Sequence, residues 1–455
     1  MWLDRIRRSA RLLAQVWRSG DRNTLIFALE PALAAAAGLG SAFNSAYLLR
    51  LGAPNTLMGL LASLPSLAVM LLYIPAGLFM QRRRTIPWVV GGQALYRGLY
   101  LLIAAAPLFA GAAVTQVTAG LMMLASVAPI LSSVALTPLM SDVIPPQQRA
   151  SVIAWRTTLR NGTAAGLVYL AGLWLDGFGR FPLNHQWLYL FSALLGVLHT
   201  LLLALIKPPA RADTAPQRVA AAPERRRVDL SLFRRFPAFT RLMLNKLILD
   251  AGDTLVGPLM GIYFVRLLGA TNTWLGASST LTSIGVVTGL WAWRRAVRRL
   301  GEGKVLLYSL PFAACFTLLA ALLPDLRWIL GLQVLTVVLG AGANMALEIL
   351  YLETLPAGFK SAATGLYQTV FGVAAVLLPM AGVTLADRIG VVPAIAVGGA
   401  LRLAGAAVFY LWPVRPLASE PAVPSPRQVR RGSPNRLYCR HAPERRPHGR
   451  TEHRP

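Results

Sequence analysis

The stretch LGAPNTLMG at residues 51–59 returns as LGATNTWLG at residues 268–276, and this repeat decides the organisation of the chain. Six of the nine positions are identical at a spacing of 268 − 51 = 217 residues. A second set of matches follows in each half at a spacing of 353 − 142 = 211 residues, without a gap. Its members are Asp142, Pro145, Arg149, Asp176 and Gly179, which match Glu353, Pro356, Lys360, Asp387 and Gly390. Two ordered, collinear matches indicate a tandem duplication of one unit.

Long apolar segments surround the repeats and predict a membrane protein. Of 455 residues, 55% are hydrophobic and 14% are charged, against roughly 25% charged in soluble domains. A membrane-spanning helix needs about 20 mostly apolar residues. The segments that meet this need are 24–49, 56–80, 86–106, 115–140, 152–175, 187–206, 240–265, 273–293, 304–323, 328–350, 361–385 and 391–412. Because lipid offers backbone groups no partner, we expect an all-α integral membrane fold of twelve transmembrane helices in two six-helix halves.

The positions of lysine and arginine predict the orientation. With the N-terminus inside, the basic residues of the external loops are Arg50, Arg180, Arg266, Arg327 and Arg388. Arg97 and Arg402 fall within spans, which leaves 45 − 5 − 2 = 38 basic residues on or near the internal side. Since basic loops stay cytoplasmic, we expect both termini in the cytoplasm and the chain in the cell inner membrane. The formal net charge of +27 has the same explanation, so we predict no nucleic-acid partner.

The chain divides into five predicted regions. Two six-helix bundles cover residues 24–206 and 240–413, and residues 207–239 form a basic cytoplasmic linker. Residues 1–23 form a basic segment whose apolar stripe fits a helix on the membrane surface. A basic flank that fixes topology explains that segment equally well. Residues 414–455 are rich in Pro and Arg, and we expect a disordered tail.

Local motifs resemble those of the major facilitator superfamily over about residues 20–413. The run SDVIPPQQR at residues 141–149 resembles the family's acidic-Pro-Pro-Arg loop after its fourth helix. The stretch from Leu378 to Gly390 resembles the end of its eleventh helix. The resemblance implies a secondary transporter whose halves are related by an axis along the membrane normal. It also implies a central cavity lined by helices one, four, seven and ten.

The loop between the second and third helices departs from the family pattern, which usually reads Gly-x-Leu-Ala-Asp-Arg-x-Gly-Arg. Gln81 stands in place of the aspartate, and Arg84 in place of the second glycine. In the family that aspartate belongs to a charge network that gates the cytoplasmic side, so the contact is altered here. The candidate gating residues are Gly77, Gln81, Arg82, Asp142, Arg149, Glu353 and Lys360.

Two aspartates stand out within the spans, because an ionisable side chain in lipid needs a partner or a water-filled cavity. Asp250 and Asp253 are three residues apart on one helix face, about fifteen Å into the seventh span at 1.5 Å per residue. Carboxylates that share a desolvated site can carry protons. The pair is therefore a candidate for proton coupling or substrate contact, and structural capping near Gly252 and Gly257 is the alternative.

The remaining candidates for coupling or substrate contact are Glu30, Asn44, Arg156, Arg160, Asn344 and Glu348. Glu30 and Glu348 lie near the cytoplasmic ends of their spans, and we expect Glu30 to pair with a nearby Arg or Lys. Arg156 and Arg160 are candidates for meeting an anionic substrate. The two asparagines either line the cavity or hydrogen-bond neighbouring helices.

Arg97 and Arg402 should lie near mid-membrane in the third and twelfth helices, which the resemblance places outside the cavity. Because an unpaired central arginine is so costly, we expect each to form a salt bridge across helices. His199 stands alone in an apolar span, and we expect a hydrogen-bonded structural residue.

The motifs of other function classes are missing from the sequence. No HExxH, Walker loop or CxxC occurs, and the two cysteines, Cys315 and Cys439, allow no disulfide framework. We therefore predict no enzyme, metal site or cofactor. A sensor or lipid scramblase of similar fold, which the altered Gln81 loop supports, is an alternative to transport.

The sequence predicts a monomeric secondary transporter in contact with membrane lipids. A proton gradient would drive a small-molecule substrate through the cavity by alternating access. Export of small amphipathic compounds is the first hypothesis. Uptake of a sugar, amino acid or organic anion is the second.

Overall fold

The structure is a computed structural model, and the residues that it describes are 22–80, 85–144, 146–207, 236–355 and 360–414. Every regular element in those ranges is a helix. The predicted N-terminal segment, linker and tail lie almost wholly outside the described residues.

Three short helices and five long ones form the first half. They are α1 (Arg22–Ala37), α2 (Leu39–Ala42), α3 (Asn44–Arg50), α4 (Asn55–Met80), α5 (Thr85–Phe109), α6 (Val114–Val143), α7 (Pro146–Gly177) and α8 (Leu183–Ala204). The first three follow one another as a single broken crossing, and a short 3-10 helix at Gly111–Ala113 precedes α6.

Six long helices form the second half. They are α9 (Pro237–Ile262), α10 (Asn272–Leu300), α11 (Glu302–Leu322), α12 (Leu326–Thr354), α13 (Lys360–Ile389) and α14 (Val391–Leu411). A π-helical turn over Tyr263–Leu267 extends α9.

Nine segments of the described residues are long and apolar enough to cross a membrane. The three predicted crossings that fall short are the broken first crossing, α7 and α10. The first crossing consists of short pieces, and α7 carries Arg156, Arg160 and Asn161 in its first half. By length and hydropathy alone, nine of the twelve predicted crossings are therefore confirmed.

Polar side chains compensate for the break in the first crossing. Arg97 is 5% exposed and donates from Nη1 to the carbonyl of Ala37 over 2.8 Å, where α1 ends. Ser192 accepts a hydrogen bond from the backbone N–H of Gly40 over 2.9 Å. The salt bridge predicted for Arg97 is wrong: within the described residues it bonds a carbonyl and Gln93. A helix end leaves carbonyls without partners, and a guanidinium has five donors to offer them.

The two halves pack alike. In the first half five helix pairs are in contact: α5 with α6, α5 with α8, α1 with α7, α1 with α8, and α4 with α6. In the second half the five pairs are α11 with α12, α11 with α14, α9 with α13, α9 with α14, and α10 with α12. These are the same five pairs when the crossings of each half are counted in order. The halves meet through α7 with α10 and through α4 with α13, which again are equivalent pairs.

Close approach of the two halves depends on glycines of the repeats. A Cβ at Gly276 would lie 2.8 Å from the carbonyl oxygen of Val168, and one at Gly172 would lie 2.4 Å from that of Asn272. The equivalent of Gly276 in the first half is Gly59, where a Cβ would lie 2.9 Å from Met380 Sδ. The last glycine of the repeated stretch therefore lies at both half-to-half contacts, against backbone at Gly276 and against the Met380 side chain at Gly59.

Buried apolar residues distinguish the two ends of the bundle. We call the end that carries residues 51–55 and 268–272 the loop end, and the opposite one the termini end. The core at the loop end joins both halves, with Leu48 and Met58 in the same cluster as Leu259 and Val383. Near the termini end the clusters of buried residues are confined to one half each. Among the described residues, the buried apolar cluster that joins the two halves therefore lies at the loop end.

Candidate functional site

A charged and aromatic cluster lies on α9 and α13 in the second half. Lys246 forms an ion pair with Asp250, one turn further along α9. The Lys246 ammonium also lies 5.2 Å from the ring centroid of Phe371 on α13. The ring of Tyr367 stacks on Phe371 with centroids 4.3 Å apart. The predicted candidate Asp250 is therefore a partner in an ion pair beside an aromatic wall, and it is only half-buried.

Residues of α12 complete this cluster. Tyr351 lies against Tyr367 with ring centroids 4.6 Å apart, and its hydroxyl is 3.1 Å from Thr364 Oγ1. The Glu348 carboxylate lies within electrostatic range of the Tyr367 hydroxyl. Glu348 is exposed and makes no hydrogen bond or ion pair with any described residue. Asn344, one turn away, is likewise exposed and without a polar partner in the described ranges.

We call Lys246, Asp250, Glu348, Tyr351, Tyr367 and Phe371 the α9–α13 cluster. The sequence predicted only two of its members, Asp250 and Glu348. The i, i+4 spacing of Lys246 and Asp250 was a visible signal for their pairing. Nothing in the sequence indicated that Tyr367 and Phe371 meet them, because α13 is more than a hundred residues further along the chain.

A buried ion triad occupies the first half. Glu30 is 4% exposed at its side chain and pairs with Arg156 of α7. Its other carboxylate oxygen lies 2.7 Å from His199 Nε2 of α8. Arg156 also donates to the carbonyl of Phe27 over 3.1 Å. The pairing expected for Glu30 is confirmed, as is the hydrogen bond expected for His199.

The two central aspartates do not share a site. Asp253 forms an ion pair with Arg402 of α14, whereas Asp250 pairs with Lys246. The side chain of Asp253 is 62% exposed. The expectation of one desolvated site for both carboxylates is therefore wrong, because each has its own cation. The salt bridge expected for Arg402 is confirmed, and the roles proposed for the two aspartates stay predictions.

The other predicted residues are not brought into the α9–α13 cluster. Asn44 donates to the hydroxyl of Tyr100 over 3.0 Å, a contact between helices. Arg160 is exposed on α7 and has no hydrogen bond or ion pair within the part of the chain described. Arg156 is engaged by Glu30.

The gating candidates fall mostly outside the described residues. Gln81 and Arg82 lie in an undescribed stretch, the surroundings of Gly77 are not described, and neither are the side chains of Asp142, Arg149 and Lys360. Glu353 is described: it is exposed near the end of α12. The gating roles remain predictions.

A reciprocal contact between the halves, which the sequence analysis missed, lies at the loop end. Arg50 donates from Nη1 to Oδ1 of Asn272 over 2.7 Å and from Nη2 to the carbonyl of Ala270 over 3.3 Å. Arg266 in turn donates from Nη1 to Oδ1 of Asn55 over 3.0 Å and from Nη2 to the carbonyl of Ala53. Asn55 matches Asn272, and Ala53 matches Ala270, in the repeated stretch. We call these two equivalent contacts the loop-end clasps.

A repeated aspartate extends each clasp. Asp176 at the end of α7 accepts from the Asn272 side chain over 2.8 Å, and from the N–H groups of Asn272 and Thr273 over 3.1 and 2.6 Å. Asp387 accepts from the Asn55 side chain over 2.8 Å. The repeat was the signal that could have identified these residues, since both aspartates belong to it.

The described residues contain no group of three or more His, Cys, Asp or Glu side chains arranged to hold a metal ion. The ion pairs described above place the side chains of Arg156, Lys246 and Arg402 directly against carboxylates, and the His199 ring lies against the carboxylate of Glu30.

Comparison with known proteins identifies the architecture. Residues 242–443 match the sequence model of the Major Facilitator Superfamily. A bacterial homologue of the iron transporter ferroportin, solved in an inward-facing state, superposes with a TM-score of 0.70 at 17% identity, covering 87% of this chain and 99% of that chain. The chain has the major facilitator fold. The predicted resemblance and the all-helical fold class are confirmed, apart from the full count of twelve crossings, and the molecule is a multi-pass membrane protein.

Two further solved structures share the fold. A mutant of the nucleoside transporter NupG gives a TM-score of 0.65 at 13% identity, covering 85% of this chain and 99% of that chain. A D-xylose–proton symporter gives 0.59 at 12% identity, with 87% and 98% covered. No curated protein matches the chain. At such identities the likeness concerns the major facilitator fold alone.

Proposed function

We propose that this major facilitator protein is a secondary transporter that moves a small solute across the cytoplasmic membrane by alternating access. The observation that carries the proposal is the difference between the two ends of the bundle. At the loop end the halves share a core and two equivalent clasps. Near the termini end each half keeps its own core. Rocking of two rigid halves about such a boundary opens the cavity to one side at a time.

The distribution of basic residues supports an orientation for this state. Most lysines and arginines fall in sequence segments that the predicted topology assigns to the side of the termini, and such residues favour the cytoplasm. Both termini are then cytoplasmic in the inner membrane, and the closed loop end faces outward. In this orientation the open end of the cavity faces the cytoplasm, which is an inward-facing state, and the ferroportin homologue was also solved in an inward-facing state. The chain acts as a monomer surrounded by lipid.

The α9–α13 cluster is the proposed substrate site. Its members come from the seventh, tenth and eleventh crossings, and the resemblance places the seventh and tenth beside the central cavity. Aromatic rings and partly uncovered charges in one place suit a small amphipathic solute. Export of such compounds is the preferred direction, and uptake of a sugar, amino acid or organic anion is the alternative.

Protons are the proposed coupling ion. Asp250 and Glu348 are the carboxylates of the site, and the charged or titratable groups that face them are Lys246 and Tyr367. Protonation of either carboxylate would remove a negative charge beside the bound solute, so protonation and solute occupancy should be linked.

A binding screen followed by a flux assay tests the function. The melting temperature of the purified chain is measured near pH 5.5 and near pH 8 against metabolites, drugs and lipids, because a ligand of the folded state raises it. Each hit is then followed in proteoliposomes with an imposed proton gradient. Gradient-driven flux of a hit supports the proposal. Binding without flux indicates a sensor, and flip-flop of labelled lipids alone indicates a scramblase.

A further inference from the structure

The cation that lies in the proposed substrate site belongs to the protein itself. The Lys246 ammonium contacts the Asp250 carboxylate and lies 5.2 Å from the centroid of the Phe371 ring. A carboxylate and the face of an aromatic ring are both groups that attract cations. Lys246 reaches them on a flexible four-carbon stem, and a substrate could displace it without any movement of the backbone of α9.

The charges of the cluster do not balance. Lys246 neutralises Asp250, and Glu348 remains without an ion pair among the residues described. One negative charge is left over. Tyr367 lies within electrostatic range of both carboxylates. The ring of Tyr351 extends the aromatic surface, with its centroid 4.6 Å from that of Tyr367.

We infer that the α9–α13 cluster binds an organic cation with an apolar body, and that Lys246 is the internal competitor of that cation. This inference rests on the proposed function. The substrate's cationic group takes the place of the ammonium on Asp250 or meets the free carboxylate of Glu348, while its apolar body lies on the aromatic rings. Because a bare carboxylate is costly within a membrane, the return of Lys246 to Asp250 favours release of the substrate.

The charge of Lys246 allows a cation-binding site to be distinguished from an anion-binding site. If the site took an anion, Lys246 would be the anchor, and its removal would abolish binding. If the site takes a cation, removal of Lys246 frees the Asp250 carboxylate and strengthens binding. The same substitution therefore moves the affinity in opposite directions for the two classes of substrate.

The experiment uses two ions of nearly the same shape and opposite charge, tetraphenylphosphonium and tetraphenylborate. Their dissociation constants are measured on the purified full chain in detergent. We expect the cation to bind and the anion not to bind. Lys246→Met should tighten binding of the cation about tenfold, and Glu348→Gln should weaken it about tenfold, the scale of coupling between close charges.

Matched variants control for folding and for a general charge effect. Lys246→Gln repeats the test if Lys246→Met does not fold, as judged by its elution profile. Lys246→Arg keeps a cation beside Asp250 and should leave the affinity near that of the natural chain. Glu302→Gln removes one negative charge at the start of α11, outside the cluster, and should change nothing.

Three results of the binding experiment would overturn the inference. Weaker cation binding in Lys246→Met and Lys246→Gln is one, and binding of tetraphenylborate that is lost on removal of Lys246 is the second. The third is cation binding that is equal in all variants. A neutral or anionic solute that is transported independently of Glu348 would refute the inference while leaving the transport function intact. Absence of gradient-driven flux for every hit would instead refute the proposed function.

Discussion

Arg50 of the first half donates to Asn272 of the second over 2.7 Å, and the structure repeats this contact in reverse between Arg266 and Asn55. Each half therefore supplies the arginine of one clasp and the asparagine of the other. Two such contacts related by pseudo-symmetry must break together when the halves part at the loop end. Together with the shared apolar core, they hold that end of the bundle closed.

Removal of one clasp should open the loop end. Met58 is 3% exposed at the loop end. The substitution Met58→Cys, in a chain from which Cys315 and Cys439 have been removed, reports opening of that end through the rate at which the new thiol is alkylated. Arg50→Ala should raise that rate about tenfold, since a charge-assisted hydrogen bond contributes about 1.5–3 kcal/mol. Arg266→Ala should do the same.

Arg180→Ala is the matched control for the clasp. Arg180 is exposed near the loop end, and its side chain makes no polar contact with a described residue. An equal rise in labelling for Arg180→Ala would mean that general loss of positive charge, and not loss of the clasp, opens the loop end.

The two repeated aspartates should differ in their effect on stability. Asp176 accepts from two backbone N–H groups at the start of α10, whereas Asp387 accepts only from the Asn55 side chain among the described residues. Loss of a helix N-terminal cap costs about 1 kcal/mol. Asp176→Ala should therefore lower the melting temperature in detergent more than Asp387→Ala. Equal effects would show that the backbone bonds contribute nothing beyond the contact with asparagine.

The buried triad should be sensitive to the loss of one charge and tolerant of the loss of both. Glu30→Gln leaves Arg156 buried without a countercharge, and breaking a buried pair costs about 3–5 kcal/mol. The double variant Glu30→Gln with Arg156→Met removes both charges and should recover much of that loss. Denaturation of the three proteins in detergent measures the difference. A double variant less stable than Glu30→Gln would contradict this account.

Substitution of Gly196 should destabilise the protein, because the Arg97 side chain fills the space beside this glycine. A Cβ at Gly196 would lie 2.1 Å from Arg97 Cδ, so Gly196→Ala must displace the guanidinium from the carbonyl of Ala37. Overpacking of this kind costs about 1–3 kcal/mol, which a lowered melting temperature would reveal. Gly98→Ala, where a Cβ meets nothing within 4 Å, is the control and should cost no more than an ordinary surface change.

The repeats allowed much of the fold to be predicted. Gly52 and Gly269 adopt φ of +80° and +65°, and Gly179 and Gly390 adopt +79° and +94°. Side chains with a Cβ are strained at such angles, so the same glycines recur wherever the same turn recurs. Periodic apolar segments and positive loops likewise depend on local composition, which a sequence displays directly.

The candidate site was predicted only in part. Asp250, Glu348 and Glu30 could be named because an ionisable residue in an apolar segment is conspicuous by itself. The partners Tyr367 and Phe371 could not, since aromatic residues are common in spans and only packing shows which ones meet. Arg97 was misassigned because a carbonyl freed by a helix break leaves no mark in a sequence.

The sequence by itself determined the membrane location, the helical class and the duplication, because hydropathy, charge placement and repeated residues are properties of local stretches. The tertiary structure alone decided which polar side chains meet across the helices. Arg50 and Asn272 are 222 positions apart, and Arg402 and Asp253 are 149 apart. Such contacts depend on how whole helices cross and on which end of the bundle is closed. Ion pairs form over a few ångströms, so only the packing of the two halves could determine them.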